Sequence, residues 1–208
     1  MKNPVLLTFI AVLASAAIPQ QSEAQIPNAG FETWTMGNPD DWSTSNAQGL
    51  AINITQSSVA HSGASAVAGV VADFSGFPWP PVIISGANAE GFPVSARHEA
   101  LHGWYQFNPL GTDGMIIFVG MTQADTTIGA GSALVTTASS VYREFVANVT
   151  YVYPQNPDTC IISISIFGTG GGLPEIGSSF LVDEVPNSPT IPTVVGRVTP
   201  ASFDGGRQ

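Results

Sequence analysis

Cysteine and basic residues are almost missing from this chain. Cys160 is the single cysteine among 208 residues. No internal disulfide can brace the fold, so stability has to come from an apolar core, and Cys160 itself reads as a small buried apolar residue. Lys and Arg number 5 against 15 Asp and Glu, for a net charge of −10. So few cations argue against nucleic acid, whose phosphates are held by Lys and Arg, and against anionic membrane surfaces. Divalent cations and neutral polymers such as polysaccharides stay compatible with this charge. Charged residues of both signs make up only 10% and hydrophobic residues 44%. That composition excludes long solvated helices and disorder and leaves ample material for a core. No long stretch keeps the 3.6-residue apolar period of a helix. The longest apolar run, Val5 to Ile18, is too short to insert across a bilayer.

What is present begins with a leader. Lys2 precedes that apolar run, and Ser22-Glu23-Ala24 places small residues at −3 and −1 before Gln25. This is the pattern of a secretory signal peptide over 1–24, cleaved after Ala24. It predicts an address outside the cytoplasm: secreted, periplasmic or on the cell surface. At the other end the composition shifts after Pro186, and 187–208 reads as a Pro-, Thr- and Gly-rich tail or linker.

Between these ends, candidate strands recur: Leu50 to Gln56, Ser65 to Ala72, Pro81 to Ser85, Leu101 to Phe107, Met115 to Thr122, Thr127 to Thr136, Arg143 to Val152, Cys160 to Phe167 and Phe180 to Val185. Leu50, Ile52 and Ile54 alternate with Ala51, Asn53 and Thr55, and Phe145, Ala147, Val149 and Tyr151 with Val146, Asn148 and Thr150. That is the period of a half-buried strand. Turn residues punctuate the runs at His61-Ser-Gly63, Asn108-Pro109, Gly111 to Gly114, Pro154 to Pro157 and Gly168 to Gly172. Short strands at this spacing predict one all-β domain, a sandwich or barrel, over 25–186.

Three constellations could carry chemistry. His98-Glu-Ala-Leu-His102 matches the zinc-peptidase pattern, in which two His at i and i+4 bind the metal and the Glu is general base. That geometry needs a helix, and Pro93, Gly103 and the strand-like Trp104 to Phe107 leave room for about two turns at most. Solvent-facing turn residues are the alternative. The second constellation pairs Glu32, near the start, with Asp183 in Phe180-Leu-Val-Asp-Glu-Val185. Asp183 is in phase with Leu181 and Val185, so if these face the core it does too. A buried carboxylate needs a cation or several hydrogen bonds. Calcium suits the first reading because it takes hard oxygen ligands; carboxylates that merely accept backbone hydrogen bonds or face solvent are the second.

The third constellation is aromatic. Trp79 and Phe77 stand in Phe77-Pro-Trp-Pro-Pro81, a Pro-rich stretch poorly suited to a core, and can serve either as exposed rings or as a loop plug. Trp104 and Tyr105, adjacent in a strand, must face opposite ways, so one is core and the other lines a sheet face. Trp34 and Trp42 flank Asn38-Pro39 and read as structural anchors that pack together. Gly168 to Gly172 lacks the helix a phosphate loop requires.

Ile26-Pro-Asn-Ala-Gly-Phe-Glu-Thr-Trp34, Asn38-Pro-Asp-Asp-Trp42, His61-Ser-Gly-Ala-Ser-Ala66, Leu101-His-Gly-Trp-Tyr105, Pro157-Asp158 before Ile161-Ile162, and Gly177 to Val185 occur in that order. Together they resemble the jelly-roll carbohydrate-binding modules, and among these the carbohydrate-metabolism domains of secreted Bacteroidetes proteins. The resemblance covers roughly Gln25 to Pro186. It implies a two-sheet antiparallel jelly-roll β-sandwich of galactose-binding-like type with no catalytic residues, binding a polysaccharide or other glycan outside the cell. It further implies a structural Ca²⁺ held by Glu32, Asp183 and the backbone of Gly30 and His61. Sugars present apolar C–H faces to flat rings, which makes Trp79, Phe77 and Tyr105 the candidate ligand residues. The alternatives are a structural or adhesive surface protein of the same fold with protein partners, and the zinc peptidase.

Overall fold

The computed structural model of the protein describes residues 26–185, so the leader and the tail lie outside the described residues. These residues form an all-β jelly-roll sandwich with no helix, hence none long and apolar enough to cross a membrane. Sixteen strands follow one another: β1 (Trp34–Thr35), β2 (Asn38–Pro39), β3 (Trp42–Thr44), β4 (Ile54–Ser57), β5 (Ala66–Val70), β6 (Ala72–Phe74), β7 (Phe77–Trp79) and β8 (Val82–Ser85) in the first half. The second half holds β9 (Phe92–Pro93), β10 (Ala100–Asn108), β11 (Asp113–Gln123), β12 (Thr126–Val135), β13 (Ser139–Asn148), β14 (Thr150–Tyr151), β15 (Thr159–Gly168) and β16 (Ser179–Asp183). One sheet has the order β13-β10-β16-β5-β4 and the other β14-β12-β11-β15-β8-β3, with β9 beside β15. The pairs β1-β2 and β6-β7 are separate small hairpins.

The core lies between the two sheets and is built by alternation. Met115, Ile117, Val119 and Met121 of β11 face Ile162, Ile164 and Ile166 of β15 on one inner surface; Leu101, Phe107, Phe145, Phe180 and Val182 line the other. On the second surface Gly69 and Gly103 lie under the rings of Phe180 and Phe145, where a Cβ would meet the ring carbons. Both glycines make room for phenylalanine on the neighbouring strand. Trp42 is buried against Phe31, ring centroids 5.1 Å apart, and its Nε1 donates to Pro27 O; Trp34 Nε1 donates to Phe31 O. Both indoles therefore pin the first turn, as anchors should.

Leu50 and Ile52 reverse the predicted phase: they are exposed, while Ala51 and Asn53 are buried. The cause is hydrogen bonding. Asn53 donates to Trp79 O and Pro80 O and accepts from Ser45 Oγ, fixing a polar side chain inside beside an exposed Ile52, while the strand begins only at Ile54, which is buried as predicted. The zinc pattern is overturned. Ala100–Asn108 is a strand that includes His102, and no helix runs from His98 to His102 to bring the two rings onto one face. His102 Nδ1 instead pairs with Glu144 Oε1 at 2.8 Å.

Candidate functional site

β10 shows how one strand builds both the core and a surface. Leu101, Gly103, Tyr105 and Phe107 point inward, which places Tyr105 half-buried against the core. His102, Trp104, Gln106 and Asn108 therefore point outward. Two cross-strand rows extend this outer surface: Thr55, Ala68, Leu181 and Gln106 in one, Val70, Ser179 and Asn108 in the next. Together with Ser139 and Ser140 of β13 they line an open groove of about 640 Å³. Its lining contains no ionisable side chain in a protein of net charge −10. The amides of Gln106 and Asn108 make no hydrogen bond to another described residue, so donors and acceptors stand free beside an apolar floor of Ala68, Val70 and Leu181.

The next row on the same face is closed. Trp104 pairs with Asp183 across β10 and β16, and the connection 58–65 between β4 and β5 lies over both. Asp183 is fully buried (0% exposed) although it stands on the outer side of the sheet; the loop, not the core, buries it. Leu181, in phase with Asp183, lines the groove, which corrects the expectation that this phase faces inward. Asp183 Oδ2 accepts from His61 N at 2.6 Å and Ser62 N at 3.0 Å, and Oδ1 from Glu184 N at 2.7 Å. From the other side Glu32, exposed, accepts from Ala64 N at 3.0 Å and Ser65 N at 3.3 Å. Gly63, at φ +63°, brings the backbone so close that a Cβ would overlap the Glu32 carboxylate.

Glu32 and Asp183 thus converge on one loop, and Val185 N donating to Ala29 O ties the first segment beside the last. As placed, they do not fit a calcium ion. The atoms facing both carboxylates are N–H donors, whereas calcium needs oxygens turned toward it. Among the described residues no group of three or more His, Cys, Asp or Glu side chains gathers that could hold a metal. Gly30 sits half-buried in the first turn, and His61 contributes its N–H to Asp183.

The His61 ring lies parallel to Trp104, centroids 4.0 Å apart and planes 12° off, with Tyr142 edge-on at 5.5 Å. His61 Nδ1 is 2.5 Å from Glu184 Oε2. The Ser62 hydroxyl, and after it His61, hold the Glu184 carboxyl below its ordinary range, against the opposing effect of burial. Burial first, and the charge of Asp183 second, push the Tyr142 phenol up to about 12. Its hydroxyl stays protonated and donates to Val59 O.

Of the other predicted ligand residues, Trp79 is half-buried in the β6–β7 hairpin, its Nε1 donating to Ser45 O and its ring edge-on to Phe74. Phe77, at the same hairpin, is 68% exposed. Neither lines the groove, and Tyr105 faces the core beneath it. Gln106, Asn108, Ser179 and Leu181 are not among the candidate ligand residues read from the sequence. The signal was there: Leu101, Tyr105 and Phe107 form an apolar phase that assigns the polar phase of β10 to the surface.

No family model matches the chain, and no curated protein matches it. Solved structures do. A Bacteroides thetaiotaomicron protein described as a candidate glycoside hydrolase superposes with a TM-score of 0.54 at 13% identity, over 70% of this chain and 62% of that one. A Bacteroides vulgatus protein described in the same way gives 0.50 at 12% identity, over 65% and 77%. A family 61 carbohydrate-binding module, solved in complex with β-1,4-galactotriose, gives 0.50 at 14% identity, over 78% of this chain and 96% of its own. The chain spans about 62% of the length of the first of these. At such identities the likeness establishes the fold: a β-sandwich of the kind found in carbohydrate-binding modules.

Proposed function

We propose that the protein is a non-catalytic carbohydrate-binding module exported from the cytoplasm, taking a neutral oligosaccharide or polysaccharide segment in the groove of the five-stranded sheet. The observation that carries this reading is the lining of the groove. Free amides of Gln106 and Asn108 stand beside hydroxyls of Thr55, Ser140 and Ser179 over an apolar floor, with no charge. Sugars offer both hydroxyls and apolar faces, so such a mixed, neutral surface suits them. Glycoside hydrolysis needs two carboxyl groups flanking the scissile bond, and the groove lining offers none. The family 61 module with its bound galactotriose and the sequence resemblance to the carbohydrate-metabolism domains of secreted Bacteroidetes proteins support the reading, and the leader supports export.

The test is a glycan array with the mature chain 25–208, followed by calorimetric titration of any captured sugar. Combined Gln106→Ala and Asn108→Ala should weaken binding by roughly 10-fold or more, from two hydrogen bonds of about 1 kcal/mol each. Phe77→Ala should leave affinity within about twofold, since little but water touches that ring. Capture of no sugar would remove the reading. Loss of binding on Phe77→Ala alone would move the site to the hairpin.

A further inference from the structure

Resting on that carbohydrate reading, we propose that Trp104 is a covered stacking subsite at the end of the groove, with the imidazole of His61 standing in for the sugar ring that would displace it. Trp104, Gln106 and Asn108 alternate along the outer side of β10, so Trp104 lies one strand repeat, about 7 Å, beyond the groove residue Gln106. A ligand laid along β10 reaches it as soon as it outgrows the open rows.

What it meets there is a planar ring stacked at 4.0 Å on the indole. The stack covers one indole face with a group of about the size and thickness of a pyranose. His61 and Glu184 are each about one third exposed at their side chains, 30% and 34%, so the ring can leave toward solvent. The backbone beneath it is fixed by Asp183 through His61 N and Ser62 N, which makes the side chain the movable part. Once the ring has swung away, Glu184 loses its Nδ1 partner and becomes an acceptor for sugar hydroxyls at the edge of the indole. The subsite therefore takes a neutral sugar ring with hydroxyls at its rim, and only in ligands long enough to span from Asn108 to Trp104.

The experiment is a titration of β-1,4-galacto-oligosaccharides and cello-oligosaccharides of graded length into wild type, His61→Ala and Trp104→Ala. The expected pattern is a step in affinity at the length that first reaches Trp104. Trp104→Ala should remove that step by roughly 10-fold while leaving shorter oligosaccharides unchanged. His61→Ala should raise the affinity for the longer members several-fold and not for the shorter ones, because it deletes the competitor for the indole. Quenching or shift of tryptophan emission should accompany only the longer ligands and should vanish in Trp104→Ala. If Trp104→Ala does not fold, His61→Ala decides alone. Equal effects at all lengths, or none at any length while short ligands still bind, overturn the subsite and leave the groove standing. Absence of binding by either series in all three proteins, together with capture of no sugar on the glycan array, overturns the carbohydrate reading and the subsite with it.

Discussion

Replacing Asp183 by Ala removes the acceptor from three backbone amides at once: His61, Ser62 and Glu184. Asp183 is fully buried, so these are charge-assisted hydrogen bonds shielded from water. A buried donor left without a partner costs about 1–3 kcal/mol. The two loop amides can turn in part toward solvent once the clasp is gone, so the lower half of that range applies to them. The sum comes to about 3–7 kcal/mol, a melting temperature lower by roughly 6–28 °C for a domain of this size. Urea denaturation followed by far-ultraviolet circular dichroism measures the free energy, and thermal scans the midpoint. Glu32→Ala is the internal comparison. Its carboxylate is exposed and reaches only Ala64 N and Ser65 N, so its loss should cost about 0.5–1.5 kcal/mol. Because both carboxylates hold one loop, the double variant should cost less than the sum of the two singles. Chelator should leave the wild-type midpoint within about 1 °C, since N–H donors and not an ion satisfy these oxygens. The reasoning is refuted if Asp183→Ala costs less than Glu32→Ala. It is equally refuted if chelation alone reproduces the loss and added calcium restores it.

Two further outcomes follow from the titratable groups. Burial pushes the Cys160 thiol up to about 12, so a thiol reagent at mildly alkaline pH should leave the native protein unmodified and label it fully in denaturant; rapid native labelling would contradict the buried placement. Glu184 is held below the ordinary carboxylate range chiefly by the Ser62 hydroxyl, then by His61. A depressed carboxyl contributes stability above its unfolded value and loses it as pH falls through the folded one. Wild type should therefore lose more stability than Glu184→Gln over that acid window, and parallel pH curves would count against the Ser62–Glu184–His61 linkage.

Long strands were legible because their phase repeats. In β10, β11 and β15 the same parity stays inward along the strand, and the core follows from it, whereas in β13 it holds at Phe145 and Ala147 but not at the exposed Val141. The short strands were not. Asn38–Pro39 and Phe92–Pro93 contain proline, which reads as a turn, and a two-residue strand exists only because a partner edge is present. Leu50 and Ile52 misled because the strand starts only at Ile54, so alternation does not carry back to them; Asn53 sets the chain before it through hydrogen bonds formed with Trp79 and Pro80, far along the chain. Asp183 shows the same limit at the site. Its burial was expected only if Leu181 and Val185 faced the core; Leu181 faces out, and Asp183 is buried by the loop 58–65 folding over the sheet, which no periodicity encodes.

That loop divides one sheet face into two regimes, and energies decide how the boundary can move. Lifting the backbone off Trp104 would break the bonds from Asp183 to His61 N and Ser62 N, at a cost of several kcal/mol that a ligand would have to supply. Swinging the His61 side chain gives up a ring stack, an edge contact with Tyr142 and a partly exposed hydrogen bond to Glu184, each worth about 1 kcal/mol or less. The second route is the cheaper by a margin that contact with one sugar ring can cover. Asp183 therefore fixes the loop for stability and leaves its His61 side chain free to yield. The length of the groove is set by one imidazole rather than by the sheet beneath it.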